Sequence, residues 1–237
     1  MSTGRSPGAE EQGPGTLEFA ARRDRLDNDH LRLLLGFVLR PDSNCLDVGA
    51  HEGLWLSEFV RLAPRGKHMA YEPLPHLAGQ LRQRFPSIAV RQKALSNSPG
   101  ESDFVFVPEM PGYSGLRERH YPGVVTKQRI RVLTERLDDA WPRRRRLAVM
   151  IVDVEGAERL VFEGAIGTLR RSRPTIVFEH GIGGADRYDT KPRDIHDLLV
   201  RNVGLRIFDL DGGGPFSVQA FEDEYASGRH WNFVAHE

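Results

Sequence analysis

Two hydrophobic periods alternate along this chain, one suited to strands and one to helices. Residues 16–39 place Leu17, Phe19, Leu26, Leu31, Leu34, Leu35, Val38 and Leu39 at helical intervals, which predicts a helical lead-in that Pro41 ends. Cys45-Leu46-Asp47-Val48 then reads as a buried strand entering a tight turn at Gly49. Helical spacing returns over residues 54–62, a second strand covers 68–71, and a helix over 74–85 stops before Pro86. A short strand at 88–90 and a dense apolar run at 104–107 follow. Residues 108–126 form a long loop rich in Pro, Gly and Tyr, a type of segment often tied to function. A strand is predicted over 129–137, with Asp138-Asp139 turning the chain. Residues 147–152 are uninterruptedly apolar, as in strands buried on both faces of a parallel sheet. A helix over 157–170, a strand over 175–178, a helix over 195–203 and late strands at 205–210 and 231–235 complete the pattern. Alternation of this kind predicts an α/β fold.

Composition narrows the class. The chain has 237 residues with 33 basic and 33 acidic side chains, which suits one domain over residues 16–237. Residues 1–15 lack an apolar period and have the composition of a disordered tail. Zero net charge argues against a nucleic-acid partner. The run Arg143-Arg144-Arg145-Arg146 precedes a buried strand and reads as a solvated loop. The single cysteine, Cys45, excludes an internal disulfide and reads as a core thiol. No apolar run approaches the ~20 residues needed to span a bilayer. No signal-type apolar core opens the chain, so a cytoplasmic setting follows by elimination. Homo-oligomerisation is left open.

The chemistry concentrates at predicted strand ends. Gly49 and Gly53 bracket the turn after the first strand, and Glu72 ends the second, 19 residues after Gly53. Strand, glycine turn, helix, strand and acid form one nucleotide-binding half of a doubly wound sheet, in which the acid holds ribose hydroxyls. A dinucleotide fingerprint beginning at Gly49 would need glycine at positions 51 and 54, where this chain has His51 and Leu54. NAD and FAD are therefore disfavoured. The pattern Asp47-x-Gly49-x-x-x-Gly53 instead resembles the first motif of class I S-adenosylmethionine (SAM) methyltransferases.

Further segments sharpen that likeness. Asp47 to Gly53, Tyr71-Glu72-Pro73, Ala94-Leu95-Ser96, Leu133 to Asp138, Asp153-Val154-Glu155-Gly156-Ala157-Glu158 and Pro174 to Glu179 follow the order and spacing of the FkbM family of SAM-dependent methyltransferases. The resemblance implies a Rossmann-like, mostly parallel seven-stranded sheet with helices on both faces. It also implies methyl transfer, usually to a hydroxyl of a sugar, lipid or natural-product scaffold. Asp47 and Gly49 would border the methionine end of the cofactor, and Ala50 and Gly53 would also contact it. Glu72 would hold the ribose, Ala94 and Leu95 the adenine, and Asp153 would lie beside the reactive end. Three positions depart from the family's usual pattern: His51 replaces Asn, Ile151 replaces Lys, and Tyr71 stands where Phe is common. An oxidoreductase or epimerase on a related fold, and a non-catalytic binding module, are the alternatives.

Methyl transfer to a hydroxyl needs alignment and a proton acceptor. His180 is the first candidate base, with Glu179 before it as an orienting carboxylate; His51 and Asp153 are the others. Tyr113, Ser114, Glu155 and Glu179 are expected to touch the acceptor. Glu158 reads as favouring a helix N-terminus. The donor set Asp153, Glu155, Glu179 and His180 also admits a divalent metal such as Mg²⁺, although no compact metal-ligand motif calls for one.

Overall fold

The computed structural model describes residues 17–237; the tail expected over 1–15 lies outside them. A 22-residue helix, α1 (Leu17–Val38), leads into β1 (Cys45–Val48). The next elements are α2 (Leu54–Leu62), β2 (Met69–Tyr71), α3 (Pro75–Arg84) and β3 (Ala89–Arg91). A smaller unit then intervenes: β4 (Ala94–Leu95), β5 (Gly100–Phe106) and β6 (Gln128–Glu135). The chain returns through α4 (Leu137–Ala140), β7 (Val149–Val152), α5 (Glu158–Glu163), α6 (Ile166–Ser172) and β8 (Thr175–Glu179). It ends with α7 (Pro192–His196), which continues as a π-helical turn to Val203, then β9 (Arg206–Asp209), α8 (Val218–Ser227) and β10 (Asn232–His236).

The main sheet has the order β3-β2-β1-β7-β8-β10-β9. Its pairings are parallel except those of β10, which runs antiparallel to β8 and β9. Successive residues of the central strands face opposite layers, and both layers are apolar. Leu46, Val48, Met150, Val152 and Phe178 pack with Phe162, Phe221 and Phe233 on one side. Cys45, Val149, Ile151 and Val177 pack with Leu31, Leu35, Leu56 and Phe59 of α1 and α2 on the other. Burial on both faces explains the unbroken apolar runs.

The predicted helix over 157–170 is two helices. Gly164 O accepts from Asp138 N at 3.0 Å, and the Asp138 carboxylate accepts from Gly167 N and Thr168 N at 2.9 and 2.6 Å. A side chain on α4 thus caps the start of α6 and closes the break. The second sheet, with order β4-β6-β5, had no place in the sequence reading. No helix among the described residues is long and apolar enough to cross a membrane.

Candidate active site

Ligands of open α/β sheets bind beyond the carboxyl ends of the strands, where the strand order reverses. In this sheet β1 lies between β2 and β7, and the turns after these strands converge. Gly49 has φ +86°, and a Cβ there would fall 1.8 Å from the Asp153 carbonyl oxygen, so only glycine lets the two strand ends approach this closely. His51 (φ +46°) and Glu155 (φ +61°) hold the same left-handed region without being glycine. Such geometry in non-glycine residues is costly and clusters at working sites.

A cavity of about 560 Å³ opens at this point, lined by Gly49, His51, Glu72, Ala94, Leu95 and Asp153 among others. Glu72 is 4% exposed, and each carboxylate oxygen takes one backbone donor: His51 N to Oε2 at 2.9 Å and Leu74 N to Oε1 at 2.8 Å. Each oxygen keeps acceptor capacity for a ligand. Burial pushes the Glu72 carboxyl up to about 7, against the pull of those two N–H groups. The small sheet forms part of the wall through Ala94 and Phe104, and the 108–126 loop adds Pro111, Ser114 and Leu116.

A second, open cleft of about 2590 Å³ adjoins the first. Gly49, His51, Asp153 and Glu155 line both. The cleft is roofed by α1 through Phe19, Asp24, Asp27 and Leu31, and walled by Trp55, Tyr113, Glu179 and Trp231. The roof is pinned across the cleft. Arg23 donates to Asp27 and makes a two-pronged contact with Asp211 at 2.7 Å; Trp231 Nε1 donates to Asp24 at 3.1 Å. Asp47 lines this cleft rather than the first cavity and is 2% exposed. Burial, with the nearby Asp153 and Glu72 carboxylates, pushes Asp47 up to about 8. Burial and the adjacent Asp153 hold Glu179 well above the usual carboxylate range, with Arg119 opposing.

Several expected residues have other surroundings. His180 does not reach either cavity. Strand alternation turns it to the opposite face from Glu179, where it is 1% exposed and lies against Tyr225 and Phe221, with ring centroids 5.0 and 5.7 Å away. Burial pushes it down to about 4. An uncharged imidazole walled in by aromatics has no path to an acceptor hydroxyl, so the first candidate base is withdrawn on geometry. Ser114 lines the first cavity, but its hydroxyl accepts from Val107 N at 3.1 Å and holds the loop. Gly53 supports the turn from below: a Cβ there would lie 2.7 Å from Leu81 of α3 and from Phe85 just after it. Ala50 lines the open cleft. Glu158 braces the turn after β7, accepting from Gly156 N and Val154 N at 3.0 and 3.3 Å.

The roof went unread in the sequence, although it left a trace. Asp24, Asp27 and Asn28 recur at intervals of three and four on α1, a polar stripe where a helix would normally bury apolar residues. Arg119, which pairs with Glu155 and stacks 4.6 Å over the Tyr113 ring, sits in a loop without periodicity and gave no signal.

Comparison with known proteins agrees with this geometry. Residues 47–207 match the family model described as the methyltransferase FkbM domain. The chain belongs to the FkbM methyltransferase family. That membership sets aside the oxidoreductase alternative. Among curated relatives, 2-O-methyltransferase NoeI of Sinorhizobium fredii is 27% identical over 162 residues, covering 60% of this chain and 65% of NoeI. AMB antimetabolite synthetase AmbE of Pseudomonas aeruginosa is 36% identical over 87 residues, covering 35% of this chain and 4% of AmbE. Both matches thus span less than two-thirds of the relative. The crystal structure of methyltransferase FkbM from Methylobacillus flagellatus has the same fold, with TM-score 0.53 at 13% identity over 84% of this chain and 44% of that one.

Proposed function

We propose that this chain is a SAM-dependent O-methyltransferase acting on a hydroxyl of a small natural-product, sugar or lipid scaffold. The observation that carries the reading is the wall formed by Gly49, His51, Asp153 and Glu155, which belongs to both cavities. A two-substrate transfer needs a point where both ligands meet, and positioning there supplies most of the catalysis. The relative named as a 2-O-methyltransferase supports oxygen as the acceptor atom.

The first cavity fits the cofactor by chemistry. Glu72 is assigned the ribose hydroxyls, Ala94 and Leu95 the adenine, and Gly49 and Asp153 the methionine end. SAM would supply a methyl group already activated on a sulfonium. Tyr113, Glu155 and Glu179 are assigned to the acceptor in the open cleft. Of the candidate bases His51 is preferred, because it lines both cavities and an imidazole nitrogen can accept a hydroxyl proton; Asp153 is the reserve.

The test is turnover of labelled SAM against a panel of hydroxylated small molecules, with the product mass read for one added methylene unit. His51→Asn tolerates the left-handed backbone and removes the imidazole. It should cut turnover by about 10²-fold, with unchanged affinity for S-adenosylhomocysteine (SAH). Turnover close to that of the parent would eliminate His51 as the base.

A further inference from the structure

The register of the sheet gathers acids on one face of the open cleft. Ile151 pairs with Val177 and Val152 with Phe178, so the next step sets Asp153 beside Glu179. Asp47 pairs with Ile151 and therefore lies on the same face, one pair deeper. Glu155 reaches in from the turn after β7. One oxygen each from Asp153, Glu155 and Glu179 lies within 4.8 Å of the others.

Like charges side by side on neighbouring strands are destabilising. Arg119 pairs with Glu155, but no lysine lines the cleft among the described residues. One guanidinium faces three carboxyl groups, so the cluster keeps an acidic excess that a cation can answer. Asp47 adds an independent sign. It is 2% exposed, it lines the cleft, and its Oδ2 has no hydrogen-bond partner among the described residues. A buried carboxylate oxygen without a partner is costly unless something polar fills the space before it.

The geometry points to a binding site for a divalent, oxygen-preferring cation between Asp153, Glu155 and Glu179, with Asp47 accepting from a water on the ion. Oxygen ligands stand ~2.0–2.6 Å from Mg²⁺ or Ca²⁺. Ligands facing each other across such an ion are thus ~4–5 Å apart, a span that holds all three oxygens, which lie within 4.8 Å of one another. Carboxylates without thiol or imidazole select Mg²⁺, Mn²⁺ or Ca²⁺ over Zn²⁺ or Cu²⁺.

Its role rests on the methyl-transfer reading, whereas the site itself does not. Asp153 and Glu155 belong to the wall shared with the first cavity, so a cation held there faces the acceptor hydroxyl. It would hold that oxygen and lower its pKa. The hydroxyl proton passes to His51 as the oxygen–methyl bond forms. The carbon–sulfur bond breaks, its electron pair stays on sulfur, and neutral SAH leaves.

The experiment is calorimetric titration of MnCl₂, and separately CaCl₂, into chelator-treated protein, with SAH titrated in parallel. One equivalent of Mn²⁺ should bind with sub-millimolar affinity. Glu179→Gln and Asp153→Asn should each weaken it by about tenfold or more, while Glu101→Gln on the exposed strand β5 leaves it unchanged. If a site variant fails to fold, paramagnetic broadening by Mn²⁺ in the unaltered protein decides, and should centre on the amides of residues 153–156 and 179–181. Absence of saturable binding, broadening centred elsewhere, or binding that appears only in Arg119→Gln would overturn the site; the last would make Arg119 the permanent counter-ion. SAH binding without cation binding sinks the cation site and leaves methyl transfer standing. Cation binding without SAH binding does the reverse.

Discussion

Glu72 and Glu158 show how burial shapes single residues. Glu72 spends one acceptor site per oxygen on backbone N–H groups, and the remaining capacity is assigned to the ribose. Charged hydrogen bonds contribute ~1.5–3 kcal/mol each, so Glu72→Ala should weaken SAH binding at least about tenfold with the circular-dichroism spectrum intact. An unchanged dissociation constant would remove Glu72 from the site. Glu158 offers a test of burial itself. It is 1% exposed, and burial pushes its carboxyl from near 4.5 up to about 7, against its backbone hydrogen bonds. Because the folded state then binds the proton more tightly than the unfolded chain, its stabilising contribution is complete below about pH 4.5 and is lost as pH rises to about 7. Glu158→Gln keeps an oxygen for Gly156 N and Val154 N and has no charge to bury. The variant should therefore gain stability relative to the parent between pH 5 and pH 8, by up to about 3 kcal/mol. Denaturant unfolding at the two pH values measures it, and a difference that does not change with pH contradicts the argument. His180 marks where residue-level reading of the sequence fails. It sits at a strand end beside a carboxylate, as a base would, but one step in a strand flips the side chain to the other face. Composition around residue 180 does not encode which face is open.

Among the elements, those with a strong period were legible. α2 covers the predicted residues 54–62, because Leu56 and Phe59 anchor it on the core. The weakly patterned elements were not. β4 has two residues, too few for a period, and α8 buries only Phe221 and Glu224. The break between α5 and α6 depends on Asp138, about 30 residues away in sequence, a tertiary contact that local spacing does not carry. Asp138→Ala should cost ~0.5–2 kcal/mol, the range for a lost helix cap, read as a lower melting temperature. The helix α1 is held over the cleft by Arg23, and losing a charged contact of this kind costs ~1.5–3 kcal/mol. Arg23→Ala should lower the melting temperature and speed amide exchange in α1. It should leave SAH affinity unchanged, since the first cavity has no α1 residue in its wall. Weaker SAH binding in that variant would show that the roof also orders the cofactor cavity.

Across the whole molecule, the strand order brings the ends of β1, β2 and β7 together, with the Glu72 cavity on one side and a broad cleft on the other. The cofactor half of this plan was readable in advance, because its residues fall in short contiguous motifs around Gly49, Glu72 and Asp153. The acceptor half was not, since it is assembled from α1, the 108–126 loop and the segment before β10, which meet only in the folded chain. The proposed transfer depends on SAM binding in the cavity beside Glu72. Calorimetric titration of the chain with SAH and with NAD tests this most directly. One SAH per chain should bind at micromolar affinity, weakened in Glu72→Ala, with no heat from NAD. Saturable NAD binding with none for SAH would contradict it.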